Sequence, residues 1–318
     1  MIRVGIFGYG NLGKGVERAV TEARDMTLVA IFTRRDPASV RSESGTAVYA
    51  AAAVSGFLDE IDVLVLTVGS ANDLPLLSPR LAANFNTVDA YDAHAAIPQY
   101  FRAVDEAAKR GGKTAVVAVG WDPGLFSLFR LLGEAFFSGT GCTFWGKGVS
   151  QGHSEALRKI PGVRDAVQYT LPKKRALFAA KSGKFPTGGA RAYHKRLCLI
   201  APEAGADKKA IAKTVREMPH YFAGYSVKIR FVSEEKLRKK RKKLPHGGEI
   251  FFRDGGAAMN MKMVLSSNPE FTGKVAAAYA RAVYRLHEAG ETGAKTALDI
   301  PLKYLAENCE PEGLFPLI

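Results

Sequence analysis

Ile2-Arg3-Val4-Gly5-Ile6-Phe7-Gly8-Tyr9-Gly10-Asn11-Leu12-Gly13 is the stretch whose reading decides the fold. An apolar run rich in β-formers breaks into Gly8-x-Gly10-x-x-Gly13, and a helix-like pattern follows from Lys14 to Ala23. Strand, glycine turn and helix in that order make an anion cradle. Gly8 allows the tight turn, Gly10 lets the backbone approach a pyrophosphate, and Gly13 lets helix and strand pack closely, while the helix N-terminus offers unpaired N–H groups. Glycines at this spacing are a weak signal alone, and the end of the second strand gives them weight.

That second apolar run, Leu28-Val29-Ala30-Ile31-Phe32, reads as the next parallel strand. Its end lies about 20 residues beyond the glycines, where an adenine ribose is recognised. An NAD site places Asp or Glu there. This chain places Thr33-Arg34-Arg35, so a phosphate on the ribose meets a hydroxyl and two guanidinium forks instead of a repelling carboxylate. The residues point to NADP rather than NAD. Two arginines in a solvated turn are the plain alternative, and their distance from the glycine turn favours the cofactor.

Further along, Asp36 to Gly56 reads as a loop with a short helix, and Ile61 to Val68 as a buried strand ending in Gly69-Ser70. Helical patterns over Leu74 to Ala83 and Ile97 to Arg110 flank a short strand that runs from Asn86 to Asp92, and Thr114 to Val119 is another strand, ending at Gly120-Trp121-Asp122-Pro123-Gly124. Alternating strands and helices predict an α/β domain, a Rossmann-type doubly wound parallel sheet, over residues 1–124. Ligands of such sheets lie beyond the carboxyl ends of the strands. By that rule Gly8 to Gly13, Thr33 to Arg35, Thr67-Val68-Gly69-Ser70, Ala90-Tyr91-Asp92 and Val119-Gly120-Trp121-Asp122-Pro123 border one crevice, with the phosphates on the first two segments and the nicotinamide end among the last three.

Beyond Phe129 the pattern changes to strands (Thr143 to Trp145, Val167 to Leu171, Lys195 to Ile200, Val227 to Val232, Glu249 to Arg253, Met259 to Leu265) with few helices, notably Lys208 to Met218. Residues 125–265 are expected to form an α+β domain carrying an open mixed sheet, for substrate binding and dimerisation. Residues 266–318, with an amphipathic helix over Lys274 to Ala289, are expected to pack back on the first domain.

A chain of 318 residues, 47% hydrophobic and 24% charged, suits two cores rather than one and does not resemble a disordered protein. The first strand begins at once, without a basic and then apolar leader, and no run approaches the ~20 apolar residues of a membrane helix. A soluble protein with no membrane partner is expected. Cys142, Cys198 and Cys309 are odd in number and widely spaced, which suits a reducing cytoplasm better than a disulfide framework. Part of the net charge of +14 lies in Lys236-Leu237-Arg238-Lys239-Lys240-Arg241-Lys242-Lys243. That run has no aromatics to stack on bases, so a solvated loop is expected and nucleic acid is not the expected partner.

Gly148-Val149-Ser150-Gln151-Gly152 matches the G-x-S-x-G nucleophile elbow, with His246 further on as a partner for Ser150. A hydrolase would need its sheet before the serine, and that sheet is already explained by dinucleotide binding. Ser150 reads instead as a polar loop residue. The six histidines, His94, His153, His194, His220, His246 and His287, include no H-E-x-x-H and have no cysteine partners, so no metal is expected. Asp89, Asp92 and Asp122 end adjacent strands and together would make the crevice acidic, a place for a substrate cation. Asp122 before Pro123 could instead cap a helix. Arg196 could hold a carboxylate bidentately, against a default reading as a surface ion pair.

The blocks Gly8 to Gly13, Thr33-Arg34-Arg35, Thr87 to Asp92, Gly120 to Gly124, Phe144-Trp145-Gly146, Ser150 to Ser154, Arg158 to Val163, Gln168 to Pro172, His194-Lys195-Arg196, Pro245 to Gly248 and Asn268-Pro269 run in order through nearly the whole chain, and in them it resembles the meso-diaminopimelate dehydrogenase family. The resemblance implies a cytoplasmic homodimer in lysine and diaminopimelate biosynthesis. It would oxidise the D-centre of meso-2,6-diaminopimelate with NADP+ to L-2-amino-6-oxopimelate and ammonia, reversibly. It further implies that Tyr9, Gly10, Asn11 and Leu12, with the four later strand-end segments, contact the cofactor. Asp92, Asp122, Trp145, Ser150, Gln151, Gly152, Thr170, Arg196, His246 and Asn268 would contact the substrate, with Asp92 and Asp122 as candidates for proton handling.

Thr33 departs from the family's usual Ser, the segment from His246 to Asn268 looks short, and the Lys236 to Lys243 run is unusually basic. Two alternatives stay open: another two-domain NADP oxidoreductase acting on a semialdehyde or imino acid, and an NADP(H)-sensing regulator that binds nucleic acid.

Overall fold

Five of the six residues of β1 (Ile2–Phe7) are buried, as a central parallel strand requires, and β2 (Met26–Thr33) and β4 (Val63–Leu66) pair with it on either side. In the computed structural model, which describes residues 1–318 apart from Ala71, Thr140, Gly189, His220, Lys242, Lys243 and the side chains of Ala190, Lys240 and Arg241, the chain divides into two compact units. The first unit comprises Met1–Leu128 and Pro269–Ile318, the second Phe129–Asn268.

The first unit carries a seven-stranded sheet in the order β14-β6-β5-β4-β1-β2-β3, where β3 is Val48–Ala50, β5 Thr87–Asp89, β6 Thr114–Val116 and β14 Gly293–Lys295. Every pairing in it is parallel. One face buries Ile2, Val4, Ile6, Val63, Val65 and Val88 with α1 (Asn11–Glu22) and with Ala276, Ala280 and Val283 of a long late helix, Asn268–Glu288. The other buries Phe7, Phe32, Leu64, Leu66 and Ala115 under α2 (Leu74–Ala82) and α3 (Ile97–Arg110). The sheet is therefore doubly wound. The late helix sits very close to α1, because a Cβ on Gly15 would lie 2.5 Å from the Pro269 carbonyl oxygen and one on Gly273 would lie 2.3 Å from the Gly15 carbonyl carbon.

The second unit has two sheets in place of the one open sheet that the pattern predicts. β8 (Gly148–Ser150), β9 (Val163–Pro172), β10 (His194–Pro202) and β11 (Ser226–Phe231) form a mixed sheet, with β10 and β11 parallel and the other pairs antiparallel. β7 (Gly141–Trp145), β12 (His246–Asp254) and β13 (Ala257–Leu265) form an antiparallel sheet. The chain passes from one sheet to the other at Gly146-Lys147. Helix α5 (Gln151–Arg158) and the helix Lys208–Glu217 bury Leu157, Ile211 and Val215 against Ala166, Cys198 and Ile200.

Four expectations need correction. Asp36 to Gly56 contains β3, whose three residues carry too little pattern to be read. The strand after Lys113 stops at Val116, and the chain turns at Ala118, whose φ is +58°. The basic run is not a loop: Glu234–Arg241 is helical, anchored by the fully buried Leu237, and Lys242 and Lys243 lie outside the described residues. The next helix begins at Leu125, so the residue at its N-cap position is Gly124 and not Asp122. Among the described residues no helix is long and apolar enough to cross a membrane, and no group of three or more His, Cys, Asp or Glu could hold a metal.

Candidate active site

The three glycines differ in what a side chain would meet. Gly8 has φ +102°, a region costly for any other residue, and a Cβ on it would lie 2.8 Å from Val68. A Cβ on Gly13 would lie 2.5 Å from the Gly8 carbonyl oxygen. At Gly10 a Cβ would meet nothing within 4 Å, and this residue begins α1 with no side chain capping the helix. The first N–H groups of α1 thus lack an intrahelical acceptor beside open space, which suits an anion.

Side chains behind the turn hold it in place. Tyr9 donates its hydroxyl to Glu17, which also accepts from the Ser42 and Ser44 hydroxyls and the Ser44 N–H. Burial pushes the Glu17 carboxyl up, but the bonds from Ser42, Tyr9 and Ser44 outweigh it and hold it at about 2. Thr67 donates to the Gly8 carbonyl.

At the end of β2, the Thr33 hydroxyl accepts the Arg35 N–H, and Arg35 reaches the Tyr9 carbonyl at 2.5 Å. Arg34 makes a bidentate pair with Asp73 at 2.7 and 2.6 Å, and this fork draws the Asp73 carboxyl below its usual range. The fork occupies two of five guanidinium donors. Sequence reading gave Asp73 no role; it lies 39 residues from Arg34, beyond any local pattern.

The later strand ends bring Asp92 and Asp122 onto loops fixed by their neighbours. The Asp92 N–H donates to the Ser70 hydroxyl at 2.9 Å. Gly120 to Gly124 form a tight turn, with Gly120 N–H on the Pro123 carbonyl and Leu125 N–H on that of Gly120, and Trp121 packs edge-on against Phe126. Asp89 does not belong with Asp92 and Asp122 on an exposed acidic wall. It is 1% exposed, inside the sheet, and burial raises its carboxyl to about 6 although Tyr100, Ala118 and Tyr91 all donate to it.

In the second unit, one row crosses the mixed sheet. Arg196 on β10 stands opposite Thr170 on β9, which stands opposite Gly148 on β8, and the space over Gly148 is filled by the His246 ring, 2.3 Å from where a Cβ would lie. Arg196 donates to the Thr170 hydroxyl and lies over the Tyr225 ring at 4.3 Å, while its buried Nε has no hydrogen-bond partner. No carboxylate among the described residues acts on it, so Arg196 is not the surface ion pair of the default reading; burial lowers its pKa and contact with Tyr225 opposes that. His246 Nδ1 lies 2.8 Å from the Gly247 nitrogen and 3.1 Å from the Gly247 carbonyl oxygen, so the ring is held against the main chain of its neighbour.

Around this row, Ser150 begins α5 and its hydroxyl lies 2.7 Å from Nδ1 of His153, not on His246 as a hydrolase would need. Burial, with the Arg196 charge, holds His153 down at about 3 and therefore neutral. Gln151 and Gly152 occupy the exposed first turn of α5. Trp145 donates its N–H to Nε2 of the buried His194 and stacks near that ring, and Asn268 donates its N–H to the Leu244 carbonyl. The structure thus gathers Thr170, Arg196 and His246 within the second unit, and Asp92 and Asp122 on strand-end loops of the first.

Sequence reading missed Tyr225, Gln168 and the Ser150–His153 pair. Gln168 is fully buried two residues from Thr170 on the same strand face, with its Oε1 unpartnered. The period-two spacing could have found it, whereas nothing local marks Tyr225.

Comparison with known proteins agrees over the full length. A family model described as the diaminopimelic acid dehydrogenase C-terminal domain matches residues 120–269. Meso-diaminopimelate D-dehydrogenase of Lysinibacillus sphaericus is 49% identical over 312 residues, covering 96% of this chain and 95% of that protein. An engineered D-amino acid dehydrogenase solved with NADP+ is 38% identical with a TM-score of 0.90, covering 99% and 98% of the two chains. A meso-DAP dehydrogenase variant from Clostridium tetani, solved with DAP, is 43% identical with a TM-score of 0.92, covering 99% of each chain. The six residues substituted in that variant are Gln, Thr, Arg, Pro, His and Asn, the types and order of Gln151, Thr170, Arg196, Pro245, His246 and Asn268 here; the first five share their spacing, and the last interval is five residues longer in the relative. With likeness of this extent in both units, the chain belongs to the diaminopimelate dehydrogenase family.

Proposed function

We propose that this protein oxidises the D-configured amino-acid centre of meso-2,6-diaminopimelate with NADP+, releasing L-2-amino-6-oxopimelate and ammonia, and runs the reaction in reverse as a reductive amination in lysine and diaminopimelate biosynthesis. The observation that carries this reading is Arg196: a partly buried guanidinium whose partners are a hydroxyl and a tyrosine ring, with no carboxylate acting on it among the described residues. A partly buried cation in neutral surroundings suits a carboxylate brought by the substrate. Thr170 and His246 beside it add hydrogen-bonding groups for that end of the diacid, and Asn268 assists.

The first unit supports NADP. Open space at Gly10 beside uncapped helix N–H groups fits a pyrophosphate, and Thr33, Arg34 and Arg35 at the end of β2 fit a ribose phosphate. Bound there, the nicotinamide would take the hydride from the D-centre carbon, and the resulting imine is hydrolysed with loss of ammonia. In this reading Asp92 and Asp122 hold the reacting ammonium and are the candidates for accepting its proton. The first-turn backbone of α5 at Gln151 and Gly152 receives the adjacent carboxylate. Trp145, with its main chain fixed by His194, shapes the apolar middle of the substrate. Recognition of both ends orients the reacting carbon with binding energy from the remote one.

A cytoplasmic homodimer completes the proposal. Its support is the free state of Cys142, Cys198 and Cys309 and the long outer strand β13, which exposes 79% of Val264; sedimentation velocity reads the mass directly. The activity is tested by following NADPH absorbance with meso-diaminopimelate and NADP+. Turnover of the meso isomer and none of the LL isomer is expected. Reaction with the LL isomer alone, or with neither, overturns the reading.

A further inference from the structure

Asp89 ends β5 with its side chain sealed inside the first unit, 1% exposed. One carboxylate oxygen accepts the N–H of Tyr91 at 2.9 Å and that of Ala118 at 3.1 Å, and the other accepts the Tyr100 hydroxyl at 2.6 Å. The main-chain carbonyl of the same residue accepts the Val119 N–H at 2.9 Å. Asp89 therefore holds two successive N–H groups where β6 ends and one where its own strand ends. Tyr100 also contacts the Ser78 hydroxyl at 2.6 Å, and its ring stacks on Tyr91 at 4.0 Å, so the carboxylate is braced from behind as well.

What it holds is an unusual backbone. Ala118 is the one non-glycine residue among the described residues with φ in the left-handed region, +58°. An L residue adopts that conformation only when its surroundings impose it. The turn at Ala118 redirects the chain after β6 into Val119 to Pro123, and the bond to Tyr91 fixes the residue before Asp92. Both loops that carry the proposed amine-binding carboxylates thus hang from one buried side chain.

We infer that Asp89 is a positioning residue of the reaction: by tethering Tyr91 and Ala118 it sets Asp92 and Asp122 at the places where they receive the substrate ammonium. The inference rests on the dehydrogenase reading. A carboxylate suits the role better than a smaller acceptor, because it meets three donors from three elements while remaining planar and rigid. The glycine turn and the Thr33 to Arg35 segment share no hydrogen bond with it, so the tether should govern turnover more than cofactor affinity.

The test measures kcat, both Michaelis constants and thermal midpoint for the parent, Asp89→Ala, Asp89→Asn and Asp89→Ala with Ala118→Gly. An inactive parent would sink the dehydrogenase reading itself; an active parent leaves the variants to judge Asp89. Asp89→Ala should lose about a hundredfold in kcat with the NADP+ Michaelis constant within about threefold of the parent. Asp89→Asn keeps an acceptor for both N–H groups and should recover kcat to within about fivefold. Glycine at position 118 takes the left-handed turn without a tether and should restore about tenfold of the loss. If Asp89→Ala does not fold, Tyr100→Phe stands in, with an expected loss of about threefold or more in kcat at unchanged NADP+ Michaelis constant. A kcat near the parent value in Asp89→Ala, or in Tyr100→Phe where that variant stands in, overturns the inference. So does an equal rise in the cofactor constant, or the absence of rescue by both Asn and Gly.

Discussion

The glycine turn of the first unit and the arginine row of the second both suit an anion, and they are built in opposite ways. The turn offers main-chain N–H groups within a few residues of sequence, and the ionisable side chains around it find their partners inside the same unit: Glu17 with Tyr9, Ser42 and Ser44, Arg34 with Asp73, Asp89 with three donors. The row offers side chains from three strands, β9, β10 and β12, and its guanidinium meets only neutral groups. One region grips with backbone and keeps its charges for stability. The other holds a charge for the ligand. Substitutions in the first should therefore register in folding and cofactor choice, and substitutions in the second in substrate affinity.

Arg196→Ala should show the largest effect. Losing charge-assisted hydrogen bonds to a carboxylate costs about 3 kcal/mol, or about a hundredfold in the Michaelis constant for meso-diaminopimelate, with that for NADP+ unchanged. Steady-state kinetics with each ligand varied decides it, and a parallel rise in both constants would erase the contrast. Gly13→Ala comes next, because its Cβ would press on the Gly8 carbonyl oxygen at 2.5 Å. Overpacking of this kind costs about 2 kcal/mol, visible as a lower thermal midpoint and weaker cofactor binding in a calorimetric titration.

Arg34→Ala should raise the NADP+ constant by about tenfold relative to that for NAD+. The effect is smaller because Asp73 already takes one face of that guanidinium, and equal change in both constants would remove Arg34 from the phosphate.

The smallest effect lies in the pH dependence of the thermal midpoint, where two buried carboxyls of the first unit have opposite signs. Asp89, raised to about 6, gives stability that is whole below its ordinary value and lost as pH rises through about 6. The midpoint of Asp89→Asn relative to the parent should therefore climb between about pH 4 and pH 6 and level off above. Glu17, held at about 2, gives stability that is present above its ordinary value and lost as pH falls through about 2, so Glu17→Gln should trail the parent at neutral pH and converge with it in acid. A flat difference curve in either case would show that the carboxyl is not answered as described.

Much of the first unit was legible because its decisive signals are local. Gly8, Gly10 and Gly13 encode a turn by spacing alone, and Ile97–Arg110 shows its own periodicity and ends at the glycine pair that marks its close. β3 and β14 escaped because three residues cannot display a period and their pairing is decided by neighbours far along the chain. Arg196 was legible as a candidate but not as one half-buried among neutral groups. Its surroundings come from Thr170 and Tyr225 across β9 and the approach to β11, and the default reading of an arginine beside His194 and Lys195 is a surface ion pair. Asp89 failed in the other direction: a carboxylate at a strand end looked exposed, and only the packing of Tyr91 and Tyr100 shows why it is not.

The β12–β13 hairpin bears on how chains of this family can differ in length. Its ladder is unbroken from His246 opposite Leu265 to Asp254 opposite Ala257 and closes with Gly255-Gly256 alone. A ladder lengthens by matched pairs, one residue on each arm, so that each side chain keeps its face. An odd difference, such as the five residues that separate this chain from its Clostridium relative between His246 and Asn268, has the wrong parity for that alone. At least one of those residues must sit in a bulge, a wider turn or the connection to Asn268, so growth there reshapes a rim while the arginine row keeps its register.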